Sequence, residues 1–135
     1  MTRPTGLRIT AIHNQKAGSK DLEDEYVTIL NDGTQTWQLS GWLVTDETDQ
    51  QLRPHEYTFP EKLTGGSGWT FDPGEAIFVI TGRGDDKFIA NPGDGMRPQF
   101  HFHWNRTSFV WNNSGDRVYL RHPDGTFATE PFPTP

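Results

Sequence analysis

Two histidines separated by one residue form the pattern in this chain that most resembles a metal site. His101 and His103 flank Phe102, and side chains two positions apart in a strand lie on the same face. Two imidazoles placed in this way can bind a divalent metal if a third ligand converges on them. An outward polar face opposite Phe100 and Phe102 explains the same alternation. We therefore predict no metal or cofactor, and His101 and His103 are the candidates if a metal binds.

A glycine-rich segment, residues 82–98, carries charged side chains that could contact a partner. It contains Arg83-Gly84-Asp85, a tripeptide that adhesion receptors recognise, although glycine-rich turns produce such tripeptides by chance. The segment is longer than most loops without secondary structure, and long loops often carry function. Its mixed charges favour polar contacts with a protein. The predicted binding residues are Arg83, Asp85, Lys87 and Arg97.

The chain shows no sequence motif of a known enzyme class. The segment 65–69, Gly-Gly-Ser-Gly-Trp, lacks the last glycine of a nucleophile elbow, and there is no phosphate-binding loop or zinc-protease motif. Without cysteine, thiol catalysis is excluded. Acidic residues at 21–25 and 46–49 could bind calcium but lack the spacing of an EF-hand. We predict that the chain is not an enzyme.

Exposed aromatic residues would offer an alternative function. Trp37, Trp69 and Trp104 could stack on sugars, as flat apolar surfaces do in carbohydrate-binding modules. Most aromatic side chains must fill the core, so exposed coplanar rings are the sign that would favour this alternative. A metal-dependent hydrolase or nuclease accessory is a further alternative, with less support.

Composition limits the possible partners and locations. The formal net charge is −6 at pH 7, which argues against nucleic acid because phosphate contacts need clustered Lys and Arg. No apolar run approaches the roughly 20 residues of a membrane span, and the N-terminal residues lack the apolar stretch of a signal peptide. We expect a cytoplasmic chain as given, unless it is a fragment of an exported protein. The sequence does not define an oligomeric state.

The local patterns predict an all-β chain. There are 14 glycines and 10 prolines among 135 residues, which indicates many turns, and no amphipathic helix of ten residues is evident. Apolar and β-branched residues alternate in short runs that are typical of strands. Those runs lie at residues 7–11, 25–30, 37–39, 41–45, 57–60, 75–81, 100–103, 109–111 and 118–120. We expect residues 75–81 to be central because their apolar run is nearly unbroken.

Several short motifs occur in the order seen in one protein family. They are Glu25-Tyr26-Val27, Asn31, Gly41-Trp42, Phe59-Pro60, Pro73-Gly74 and the run from Trp111 to Asp116. Together they resemble bacterial-type lamin tail domains over roughly residues 7–128. The resemblance implies an immunoglobulin-like sandwich in which these positions are mainly structural. In lamins the corresponding domain is a docking platform for proteins, and similar bacterial domains are appendages of longer exported or membrane-linked proteins, including hydrolases and nucleases.

These observations predict a single domain, residues 1–135, folded as an immunoglobulin-like antiparallel β-sandwich of about seven to nine strands, with a core at about 7–128 and frayed termini. We expect a non-catalytic interaction module that recognises protein through loops or a sheet edge, compatible with an accessory role in a larger protein. The predicted core residues are Ile9, Val27, Ile29, Trp42, Val44, Phe59, Phe78, Ile80, Trp111, Val118 and Leu120.

Overall fold

The computed structural model describes residues 6–14, 21–47, 52–111, 117–124 and 132–133. These residues contain nine strands and one short 3-10 helix, Leu22–Asp24. The strands are β1 (Leu7–His13), β2 (Tyr26–Asn31), β3 (Leu43–Glu47), β4 (Leu52–Thr58), β5 (Ala76–Ile80), β6 (Lys87–Ile89), β7 (Gln99–His103), β8 (Arg117–Arg121) and β9 (Phe132–Pro133). No helix among the described residues is long and apolar enough to cross a membrane.

The strands form two sheets of a sandwich. One sheet has five strands in the order β1-β2-β5-β7-β6, and the other has four in the order β4-β3-β8-β9. The predicted all-β, immunoglobulin-like sandwich is therefore confirmed. One pairing differs from the expected antiparallel pattern, because β5 and β7 are parallel. The chain passes from β5 through β6, which pairs antiparallel with the far side of β7, before it enters β7.

Two segments that we expected to be irregular contribute edge strands. Residues 82–98 contain β6, and the C-terminal tail, which was predicted to fray, contains β9. β9 pairs with β8 through Phe132 opposite Val118 and Pro133 opposite Arg117. This backbone pairing covers one side of β8, which explains why the tail is ordered there. The predicted fraying of residues 1–5 and 134–135 lies outside the described residues.

The core lies between the two sheets and is largely aliphatic and aromatic. The alternation in β2 directs Val27 and Ile29 inward, and both side chains are fully buried. Trp111 is also fully buried, and its ring centroid lies 5.8 Å from that of Trp104. The other predicted core residues found in this buried cluster are Ile9, Trp42, Val44, Phe59, Val118 and Leu120.

The alternation of β5 is the reverse of the one we expected. Ile77 and Val79 point into the core and are fully buried, whereas Phe78 is only half-buried on the outer face. Ile80 is buried but does not belong to the main core cluster. The sequence of β5 is apolar on both faces, so periodicity could not define which residues point inward.

Two buried polar residues anchor the ends of β2. At the C-terminal end, Asn31 Nδ2 donates to the carbonyls of Gln35, at 2.9 Å, and Phe71, at 3.0 Å. Just before the strand, Glu25 Oε1 accepts hydrogen bonds from Thr81 Oγ1, at 2.7 Å, and from the Val110 amide, at 2.8 Å. Burial of a polar group costs free energy unless the group forms hydrogen bonds inside the protein. These bonds offset the cost of burying Asn31 and Oε1 of Glu25, whereas Oε2 of Glu25 has no hydrogen-bond partner among the described residues.

Candidate binding surfaces

A row of side chains crosses the outer face of the five-stranded sheet. Each of the five strands contributes one residue to this cross-sheet row: Lys87, His101, Phe78, Tyr26 and His13. The Cα partners Lys87–His101, Phe78–His101 and His13–Tyr26 are directly opposite one another. Because neighbouring strands are about 4.8 Å apart, the row is about 19 Å long.

The four rings of the cross-sheet row are in contact with one another. Ring centroids are 5.0 Å apart for His13 and Tyr26, 5.1 Å for Tyr26 and Phe78, and 5.2 Å for Phe78 and His101. His13 and Tyr26 are stacked, with an interplanar angle of 14°. All four residues are half-buried. The four rings thus form a continuous aromatic strip in which each ring is partly exposed.

The five-stranded sheet contains no acidic residue in any of its strands. The chain has 18 Asp and Glu, but β1, β2, β5, β6 and β7 include none of them. Their cationic residues are Lys87 and Arg8, and Arg8 Nε is paired with Asp32 Oδ2 at 2.6 Å. The strands of this sheet therefore contribute no negative side chain, and the nearest acids flank the ends of the row: Asp24, whose carbonyl lies 2.7 Å from His13 Nδ1, and Asp86, which directly precedes Lys87.

His101 occupies the second position of the row, next to Lys87. Its Nε2 lies 2.6 Å from Gln99 Oε1, within hydrogen-bond distance. Burial of the ring lowers the pKa of His101, and the positive charge of Lys87 and the neighbouring His103 lower it further. Both desolvation and nearby positive charge therefore disfavour the imidazolium form of this ring.

His103 points to the same side as His101 but is enclosed. Its side chain is 10% exposed, and Nδ1 lies 3.8 Å from Asp86 Oδ1. The backbone of Gly84 lies so close that a Cβ there would approach His103 Nε2 to 2.5 Å. Among the described residues, no group of three or more His, Cys, Asp or Glu could hold a metal ion. In β7 the phenylalanines point into the core and the histidines lie on the outer face, which accounts for their alternation.

The backbone of β7 shows which of its sides faces β6. The His103 amide donates to Asp86 Oδ1 at 2.8 Å, on the β6 side. The next amide, of Trp104, donates to the carbonyl of Ile80 in β5, also at 2.8 Å. Because successive backbone groups of an extended chain point in opposite directions, the odd-numbered residues of β7 face β6.

This geometry identifies the open part of the sheet edge. Lys87 and Ile89 pair with odd-numbered residues of β7, so the backbone N–H and C=O of Phe88 point away from the sheet. The backbone N–H and C=O of Asp86 also point away from the sheet, but they are hydrogen-bonded to Thr64. The Thr64 amide donates to Asp86 O at 3.0 Å, and the Asp86 amide donates to Thr64 Oγ1 at 2.8 Å. The edge is therefore open at Phe88.

One exposed apolar side chain lies on β6 itself, and a second lies in the segment between β6 and β7. Among the described residues, Phe88 and Met96 are the large hydrophobic side chains that are exposed, with 38% and 53% of their surface accessible. The Phe88 ring lies 4.6 Å from the ring of Phe100 in the core, so it extends the core toward solvent. An exposed aromatic ring beside an unpaired strand edge is a typical protein-contact surface. Phe88 and Met96 were not predicted as contact residues because residues 82–98 were interpreted as a charged loop.

The four predicted binding residues are exposed but do not form one cluster. Arg83 and Asp85 precede β6, Lys87 begins it, and Arg97 lies close to the start of β7. Because β6 and β7 are antiparallel, Arg97 lies near the opposite end of β6 from Arg83. Arg97 Nη1 donates to the carbonyl of Gly74 at 3.3 Å. The charges thus surround the open edge instead of converging on one point.

The tryptophans considered for sugar binding are packed against the core. Trp37, Trp69 and Trp104 are half-buried against the central cluster. Trp69 Nε1 donates to the carbonyl of Pro60 at 2.9 Å, and the guanidinium of Arg106 lies 5.2 Å from the ring centre of Trp104. Trp37 packs edge-on against Trp42, with ring centroids 5.8 Å apart, so each of the three rings has a contact within the protein.

One acidic residue considered for calcium has partners within the protein. Asp46 is fully buried. Its Oδ1 accepts the His55 amide at 2.7 Å, and its Oδ2 lies 2.9 Å from His55 Nδ1. The carboxylate therefore links β3 to β4. Residues 48–50 of the same acidic stretch lie outside the described residues.

The amino-acid sequence matches a known protein family over nearly its whole length. The matching family model carries the description Lamin Tail Domain and covers residues 2–130. The match includes both ends of β2, where Glu25 and Asn31 are buried. No curated protein matches the chain at a significant level. The resemblance that the motifs indicated is confirmed.

Proposed function

The chain belongs to the lamin tail domain family, and from this premise we propose that it recognises a partner protein through the open edge at β6. Lamin tail domains are immunoglobulin-like and typically act as non-catalytic interaction modules. The observation that supports an edge contact is the orientation of Phe88. Its backbone groups point away from the sheet, and its ring is partly exposed beside them.

Strand addition is the mode of binding that uses both features. A partner strand placed beside β6 would form backbone hydrogen bonds with the N–H and C=O of Phe88. Its apolar side chains would cover Phe88 and Met96, since buried aromatic anchors supply much of the affinity in protein interfaces. The charges of Arg83, Asp85 and Lys87 would then lie at the rim, where they contribute to partner selection more than to affinity.

Site-specific photo-crosslinking in the native host tests this proposal. A photoreactive benzoyl-phenylalanine replaces Phe88 in one variant, and the same group replaces Thr58 in the control. Thr58 is exposed on β4, the edge strand of the other sheet, so the two positions differ mainly in which edge they probe. We expect discrete protein adducts from position 88 and few from position 58.

Competition makes the result specific for the edge. An excess of unlabelled wild-type chain should abolish the adducts at position 88, whereas an excess of the Phe88→Asp variant should not, because the carboxylate opposes apolar contact. Equal adducts at both positions, no adducts at position 88, or adducts of glycan in place of protein would each overturn the proposal.

A further inference from the structure

We propose that the outer face of the five-stranded sheet is a second binding surface, which accepts an apolar protein segment flanked by carboxylates. The surface is the cross-sheet row together with the acid-free strands around it. It differs from the open edge, since the ring of Phe88 lies on the inner side of β6, against Phe100. Either surface can therefore be present without the other.

Charge complementarity defines the partner. This acidic protein places none of its 18 Asp and Glu in five neighbouring strands, so carboxylates are kept out of the middle of that face, and the acids Asp24 and Asp86 lie beside its ends. Lys87 is exposed at one end of the row, directly opposite His101. A partner carboxylate near Lys87 would form an ion pair at the rim of a desolvated apolar strip, which is a common arrangement in specific interfaces.

The shape of the row defines the apolar part of the partner. The rings of His13, Tyr26, Phe78 and His101 are in contact in one continuous strip. The strip of four rings is about 15 Å long, since three steps of about 5 Å separate its ring centroids, and this corresponds to between four and five residues of an extended chain. Each strand contributes one ring, so the strip is narrow. A single extended segment therefore matches it better than a broad globular surface does.

Single-stranded nucleic acid also binds aromatic sheets, but the observations favour protein. Bases stack on open ring faces, whereas His13 and Tyr26 stack on each other. Every nucleotide carries a phosphate that needs a cation nearby, and the row supplies one lysine in a chain of net charge −6. An apolar segment with carboxylates only at its ends needs fewer cations.

Titration of the whole 15N-labelled chain with two synthetic peptides tests the inference by NMR. The acidic peptide is Glu-Glu-Val-Leu-Val-Leu-Glu-Glu with blocked termini, and the matched basic peptide has lysine at every glutamate. A single-stranded oligothymidylate serves as the third probe. We expect the acidic peptide to shift the amide resonances of all five strands, including β1 and β2, which strand addition at β6 would leave unchanged, and to bind at least about tenfold more tightly than the basic peptide.

Three variants assign the binding to the row. Lys87→Glu should weaken binding of the acidic peptide about five- to tenfold, as one exposed ion pair is lost and one repulsion is gained. Phe78→Thr should abolish it, while a dispersed amide spectrum shows that the fold is retained. The control Arg117→Glu makes the same charge change on β8 of the other sheet and should alter binding less than about twofold.

The outcomes separate this inference from the proposed function. Equal affinity for both peptides, shifts confined to β3 and β8, tighter binding of the oligothymidylate, or no binding would overturn the second surface. None of these results affects crosslinking at Phe88, which tests the open edge. Conversely, loss of the crosslinks leaves the peptide titration unchanged.

Discussion

The two sheets of the sandwich present very different outer faces. The four-stranded sheet carries an exposed acidic residue, Glu56, in β4. On its outer face the guanidinium of Arg121 lies 4.1 Å from the ring centre of Tyr119, and Arg121 Nε donates to Thr45 Oγ1 at 2.8 Å. Three polar side chains of this face thus have partners within the sheet. The five-stranded sheet instead exposes a strip of rings, and none of its strands carries an acidic residue.

The sheets also differ in how each holds a buried carboxylate. Asp46 bonds to the backbone and ring of His55, nine residues away, so it stabilises one local strand pair. Glu25 bonds to Thr81 and to Val110, which are 56 and 85 residues away. One carboxylate thus secures a hairpin, and the other joins distant parts of the chain around the five-stranded sheet.

Among the comparisons between the sheets, removal of the two carboxylates should give the largest difference in the free energy of unfolding. We expect Glu25→Ala to lower the free energy of unfolding by about 2–4 kcal/mol, because it leaves a buried amide and a buried hydroxyl without acceptors. Asp46→Ala should lower it by about 1–2 kcal/mol, because the His55 side chain is 31% exposed and water can replace part of the lost bonding. Urea denaturation followed by tryptophan fluorescence measures both.

The control for this pair is Glu56→Ala on the exposed surface of β4, which should change the free energy of unfolding by less than about 0.5 kcal/mol. If Asp46→Ala proved more destabilising than Glu25→Ala, the long-range role assigned to Glu25 would be wrong.

Substitutions on the two outer faces should give a smaller difference in the free energy of unfolding. Phe78→Thr removes a half-buried ring that touches Tyr26 and His101, and should cost about 1–2 kcal/mol. Tyr119→Thr removes a ring whose described partner is the Arg121 guanidinium, and should cost about 0.5–1 kcal/mol. Threonine is used in both because it favours strands. Equal losses measured by urea denaturation would show that the cross-sheet row contributes no more to stability than an ordinary surface pair.

Much of this fold could be predicted from the sequence, because its strands carry local signals. Alternation predicted β1 and β7, strand composition predicted β2, and motif positions such as Trp42 and Trp111 indicated the family. The parallel pairing of β5 and β7 could not be predicted, because it depends on how the chain returns after β6. The prediction that Phe78 points into the core was wrong for a different reason. An apolar run such as β5 has no polar residue to mark its outer side.

The candidate surfaces were less predictable than the fold. The cross-sheet row combines residues from five strands, so it exists only when the register of every pair is known. The open edge at Phe88 depends on which backbone groups face β7, and no local pattern encodes that. Arg83, Asp85, Lys87 and Arg97 stay a prediction as binding residues.

The smallest expected difference concerns the dependence of stability on pH. The pKa of His101 is lowered by burial first, then by Lys87 and His103, whereas an unfolded histidine titrates near about 6.5. Between the lowered value and about 6.5 the unfolded chain therefore binds more protons than the folded chain. Stability is highest above this window and decreases as the pH falls through it.

Thermal unfolding of wild type and His101→Gln at about pH 7.5 and about pH 5 measures this contribution. The melting temperature of the wild type should fall more on acidification than that of His101→Gln, because glutamine does not titrate. Lys87→Met should give an intermediate slope, since it removes one of the charges that disfavour the imidazolium. The effect should be smaller than that of Phe78→Thr, because a half-exposed ring is partly screened by solvent. Identical slopes for all three proteins would mean that the neutral state of His101 is not linked to folding, and that acid sensitivity arises elsewhere in the chain.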